Sequence, residues 1–147
     1  MGSALLCASA LLSFVVAALH IVIIAGGAPA YRYTDAGEMM VRLAEQGSMV
    51  PALVTVGALV VFVLAGLYPL SAAGWGPRLP FPRLGLVCIA AVYTGRGLAL
   101  VAQLAHRGPT GPPARAMVFS AISLAIGLVY IAAIAAAWED SRAGIRA

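Results

Sequence analysis

Four runs of apolar residues, over about 4–26, 49–71, 83–105 and 114–138, take up most of the 147-residue chain and nearly exclude charge. Each is close to the ~20 residues that carry a helix across the hydrocarbon core of a bilayer. A segment in lipid has to satisfy its own backbone N–H and C=O groups, and a helix does so within itself. The runs therefore predict four membrane-spanning helices joined by short connections. Composition agrees, since 63% of residues are hydrophobic and 10% charged, against about 25% charged in a soluble domain. A disordered chain, a nucleic-acid-binding module and almost any water-soluble domain are excluded. The net charge of +4 fits orientation and lipid-headgroup contact, so no nucleic-acid partner is expected. The expected fold class is all-α: a four-transmembrane-helix bundle forming a single membrane domain over 1–147, with a short amphipathic interfacial helix between spans 1 and 2.

The first run competes with a secretory signal peptide, because Ala28-Pro29-Ala30 resembles a cleavage site. It lacks a basic n-region, and its apolar stretch exceeds the ~7–15 residues of such a signal, so a span is expected. Cys7 and Cys88 both fall inside apolar runs with no Cys or His at ligand spacing. They read as small packing residues.

The 27–48 connection holds three of the five acids. Tyr31-Arg32-Tyr33 places aromatic rings and a snorkelling Arg at a membrane interface. Asp35-Ala36-Gly37-Glu38 has the D-x-x-E form of a capping box and opens the interfacial helix, about 36–46. Met39, Met40 and Leu43 supply its apolar face, and Glu38 and Arg42 stand at i,i+4 in the favourable order. Gly47 is the expected stop and Ser48 the cap of the next helix, with Pro51 in its first turn. A solvated helix face also accounts for the Glu38/Arg42 pair.

The 72–82 connection is punctuated by Gly74, Gly76, Pro77 and Pro80, with Trp75, Arg78 and Arg83 as interface anchors. A turn is expected at 108–113, and a polar tail at 139–147 follows the interfacial Trp138. Every basic residue is Arg. With four spans, Arg78, Arg83, Arg142 and Arg146 fall on the side of the termini, and Arg32, Arg42, Arg107 and Arg115 on the other. The count selects neither orientation; the short Arg78/Arg83 loop, of a form typical of cytoplasmic connections, tips the expectation towards cytoplasmic termini.

Small residues recur at helix-contact spacing. Ser9, Ser13 and Ala17 lie four apart, as do Ala91, Gly95 and Ala99, the pair Ala121 and Ala125, and the pair Ala132 and Ala136. Such stripes let backbones approach closely, either within one chain or between chains.

Thirteen of the 14 charged residues sit in connections, ends or interfaces, and Arg96 does not. A charge at that depth costs roughly 2.5–3.5 kcal/mol on insertion scales. Arg does not escape by losing its proton. It is expected to face the bundle interior, with Gly95 and Gly97 giving the side chain room. Tyr93 and Gln103, at i−3 and i+7, share roughly its face, and His106 extends that face outward. His20 on the first span differs from Arg96 in depth by only about 5 Å. Asp35, Glu38 and Glu45 crowd the same mouth, with Ser120 and Ser123 on the fourth span. The candidate ligand site is therefore Arg96, His20, Tyr93, Gln103 and Glu38. A structural role stands beside it, with Arg96 clamping Glu38 or carbonyls and His20 capping a carbonyl.

No catalytic constellation, phosphate loop, H-E-x-x-H pair or nucleophile elbow is present. His20 and His106 would permit bis-His haem ligation, but their depths differ by about 10 Å. No metal and no cofactor are expected, and Met39 and Met40 read as apolar packing residues.

The chain resembles a group of small four-span bacterial integral membrane proteins of unknown function. The residues that carry this are His20 with Gly26-Gly27, Tyr33-Thr34-Asp35-Ala36-Gly37-Glu38, Leu43-Ala44-Glu45-Gln46-Gly47-Ser48 with Pro51, and Tyr93 followed by Arg96-Gly97. The resemblance covers most of the chain and implies a bacterial inner (plasma) membrane but no activity. Length and span count also resemble the membrane-associated glutathione-transferase family and the small multidrug exporters. Glu45, Gly47 and Val50 do not reproduce the Arg/Asn/Glu pattern of the first, and the first span lacks the embedded Glu of the second.

Three functions remain. One is a polar, Arg-centred intramembrane cavity that binds or passes a small anion or lipid headgroup. Another is an accessory subunit packing against a larger membrane complex or a second copy. The third is a lipid-modifying enzyme with His20 as base and Arg96 as phosphate or oxyanion clamp. Membrane lipid is the partner common to all three.

Overall fold

The computed structural model describes residues 2–106 and 111–145. They form five helices: α1 (Gly2–Tyr33), α2 (Glu38–Glu45), α3 (Val50–Ala72), α4 (Pro82–Ala105) and α5 (Ala114–Ile145). No strand occurs among the described residues. α1, α3, α4 and the Ala114–Asp140 part of α5 are long and apolar enough to cross a membrane. The chain is an all-α integral membrane protein, with the expected short helix between its first two spans. Arg107, Arg146 and residues 108–110 of the 108–113 turn lie outside the described residues, as does the side chain of Arg142.

Two compact units make up the chain, one of Met1–Leu12 with Ala65–Ala147 and the other of Ser13–Leu64. In the first, α4 and α5 touch backbone to backbone at two glycines. A Cβ on Gly97 would stand 2.5 Å from Leu124 Cα, and one on Gly127 would stand 2.8 Å from the Thr94 nitrogen. Around Gly97, α4 buries Leu86, Ala90 and Tyr93, at the i, i+4, i+7 repeat of one helix face. The ring of Tyr93 stacks on that of Tyr130, with centroids 5.7 Å apart. Pro69 lies inside α3 and has no N–H, so the carbonyl four residues earlier, on Ala65, loses its helical partner. The Tyr130 hydroxyl supplies the missing bond, donating to the Ala65 oxygen at 2.9 Å. At the far end of α5, Asp140 Oδ2 accepts from the Gly2 N–H at 3.3 Å and closes the start of α1. The expected polar tail at 139–147 continues α5 as far as Ile145.

In the second unit, α1 breaks at Gly27, where φ is 58° and ψ −146°. That region is essentially open to glycine alone. The chain re-enters helix with Pro29 in its first turn, where a missing N–H leaves no bond unmade. The span predicted to stop near residue 26 therefore continues as a short second piece to Tyr33. This piece, the end of the span before the break and α2 share an apolar cluster of Ile23, Tyr31 and Val41, flanked by Ala30 and Ala44. Tyr31 Oη and Thr55 Oγ1 are 3.1 Å apart, which ties the piece to α3.

The capping box is not formed. Gly37 occupies the cap position of α2 with no side-chain hydrogen bond, and Asp35 turns left-handed at φ 57° before it. The exposed ion pair in this segment joins Arg32 to Glu45, and no described ion pair links Glu38 to Arg42. The expected end of α2 is correct. Gly47 is left-handed at φ 73°, and the N–H groups of Gly47 and Ser48 donate to Ala44 and Leu43 oxygens in a Schellman closure. Ser48 Oγ then accepts from the Val50 N–H at the start of α3.

Candidate functional site

Arg96 stands near the middle of α4, roughly 21 Å along the axis from Pro82 and 14 Å from Ala105. Its rotational setting follows from the two glycine contacts. At about 100° per residue, Arg96 lies some 100–160° round the helix from Gly97 and Thr94, where α5 touches. The side chain is exposed, which corrects the expectation of an interior-facing Arg. No hydrogen bond or ion pair joins it to a described residue. The flanking glycines do not serve it either: Gly97 admits Leu124, and the space beside Gly95 is open.

Gln103 lies seven residues on, about 10 Å along α4 and within about 20° of the same direction. Its Oε1 is buried and has no hydrogen-bond partner among the described residues. A buried carbonyl oxygen left unpaired costs roughly 1–3 kcal/mol, so it calls for a donor. One turn further, exposed His106 donates from Nδ1 to the Ala102 oxygen at 2.8 Å and closes the helix end.

Tyr93, three residues before Arg96, is 4% exposed and stacked on Tyr130, so its ring belongs to the α4–α5 packing. Thr94 was not singled out in the sequence, yet its Oγ1 is also buried without a partner, pressed against Gly127. Beside it, a groove of about 360 Å³ between α4 and α5 is lined by Val87, Ala90, Ala91, Thr94, Ile131 and Ile134. Those α4 positions face roughly opposite to Arg96, so this groove is apolar and not Arg-centred.

His20 and Glu38 belong to the other unit. His20 is half-buried, donates from Nδ1 to the Val16 oxygen at 2.7 Å, and packs its ring against Phe62 at 4.8 Å. That bond fixes the tautomer when the ring is neutral and leaves Nε2 as the available nitrogen. Glu38 is exposed in the first turn of α2, where its charge complements the helix dipole. No group of three or more His, Cys, Asp or Glu gathers among the described residues to hold a metal.

No family, curated protein or solved structure matches the chain.

Proposed function

We propose that this integral membrane protein binds a small anionic or lipid-headgroup ligand through Arg96. The observation that carries the reading is a charge near mid-span that lacks a protein partner and shares its face with the unpaired Gln103 Oε1. An Arg kept at such depth calls for a counter-charge, and its planar fork suits a phosphate or carboxylate. The site is centred on α4, with Gln103 as second contact and Tyr93 holding the helix in register. The test is thermal unfolding in detergent with inorganic phosphate or phosphatidylglycerol added. Stabilisation by at least one probe is expected in the wild type and not in Arg96→Gln. Equal stabilisation of both chains rules the reading out.

A second reading, an accessory subunit, draws on the Ala91, Gly95 and Ala99 stripe. All three are exposed, and a Cβ on Gly95 would meet nothing within 4 Å. A foreign helix could approach that strip closely. Co-purification with a larger membrane assembly in mild detergent supports this reading, and a solitary monodisperse species counts against it. We place the chain in a bacterial inner membrane with cytoplasmic termini. A C-terminal fluorescent fusion should then be bright and an alkaline phosphatase fusion inactive, and the reverse pattern inverts the orientation.

A further inference from the structure

Arg96, Gln103 and His106 form a polar line along the C-terminal part of α4, and the line stops at Arg96. Outward, it carries half-buried Gln103, whose unpaired Oε1 is covered by protein, and then the exposed His106 ring. Inward, the same face carries Val92 and Ile89, then Gly85, where a Cβ would overlap the Tyr68 ring. The line is open at one membrane surface and blind near the middle of the span. Moving an anion across would need polar groups on both sides of Arg96; holding one from a single side needs only those present.

We infer that the Arg96 face holds a phospholipid from the leaflet at the C-terminal end of α4, with its phosphate on Arg96 and a headgroup hydroxyl or ammonium on Gln103. This rests on the reading of Arg96 as an anion-binding residue and narrows the ligand. Charge is the first argument: the guanidinium lacks a protein counter-charge, and a phosphodiester supplies one with matching geometry. The second is the order of the two polar groups. Gln103 stands on the surface side of Arg96, where the donor of a headgroup lies relative to its phosphate; its Oε1 accepts only, and because it is buried in the free protein, the amide turns outward to meet that donor. The third is the apolar surround. Val92 and Ala99 beside Arg96 are exposed, and Leu100 is half-exposed. A free anion would sit unsolvated among them, whereas a phospholipid covers them with its own acyl chains. An Arg stem turned outward, with local thinning of the bilayer, closes the remaining gap in depth.

The experiment uses the full chain in detergent, titrated separately with short-chain phosphatidylglycerol, diacylglycerol of the same chain length and inorganic phosphate. The readouts are Tm and the mass retained in native mass spectrometry. Phosphatidylglycerol is expected to raise Tm by several degrees and remain as a one-to-one adduct, while the other two do neither. Arg96→Gln should lose both effects, Arg96→Lys should keep part, and Gln103→Leu should weaken lipid binding about tenfold, the loss of one hydrogen bond. Inorganic phosphate acting through Arg96 as strongly as the lipid overturns the phospholipid assignment and leaves the anion site standing. No Arg96-dependent effect of either probe overturns both. Should Arg96→Gln not fold, equal lipid affinity in wild type, Arg96→Lys and Gln103→Leu overturns the inference.

Discussion

The hydroxyl of Tyr130 on α5 donates to the carbonyl oxygen of Ala65 on α3, the oxygen that Pro69 deprives of its helical N–H. Tyr130 is 0% exposed, so no water competes for that bond. A proline inside a membrane helix thereby becomes an attachment point for a neighbouring helix. Tyr130→Phe keeps the ring and removes the bond, and should cost about 1–3 kcal/mol. Pro69→Ala restores a donor at the right position. The double variant should be less destabilised than the sum of the singles, and additivity in chemical or thermal unfolding would sink this account.

The contact between α4 and α5 depends on two missing side chains. Gly97→Ala and Gly127→Ala each drive a methyl group into backbone, at Leu124 and at Thr94 respectively. Each should lower stability by about 1–3 kcal/mol through overpacking. Gly95→Ala, facing open space, should change Tm little. Equal effects at all three positions would contradict the packing described.

Gly27 holds a conformation that other residues reach only with strain. Gly27→Ala should cost about 1–3 kcal/mol. It should also disturb the Tyr31–Thr55 bond on which the second piece of α1 depends. Unfolding measurements paired with Thr55→Val give the check: the two effects should couple.

Arg96 is expected to cost stability in the absence of ligand. Arg96→Leu should be more stable than wild type in lipid-free detergent or insert more readily, by roughly 2.5–3.5 kcal/mol on an insertion scale. The same variant should lose stabilisation by added ligand. A destabilised Arg96→Leu would mean that the guanidinium clamps the fold instead.

The spans were legible because a bilayer imposes a length on apolar runs, and α3 and α4 fall within a residue of their expected limits. The end of α1 was not. Gly27 permits both a stop and a reversal into helix, and Pro29 suits the first turn of either outcome. The Asp35–Glu38 spacing had the form of a cap, yet the left-handed turn at Asp35 moved the cap to Gly37, whose backbone geometry no spacing rule reads. The small-residue stripes show a different limit. Ser9, Ser13 and Ala17 are buried while Ala91, Gly95 and Ala99 are exposed, although both stripes have the same spacing. Spacing tells which residues share a face, and only the neighbouring helix decides whether that face is used. Arg96 illustrates this most directly: its depth was readable, its direction was not, since Leu124, which packs on Gly97, lies in another helix.

The glycine contacts also define an aiming mechanism. Gly97 and Gly127 never touch Arg96, but they fix the angle at which α4 meets α5, and with it the bearing of the guanidinium. Moving the glycine by one position, as in Gly97→Leu with Leu98→Gly, would favour a rotation of α4 by about 100°. The charge would then point along a new compass direction with no change to Arg96 itself, which makes the helix contact a dial for re-aiming a charge at mid-span depth.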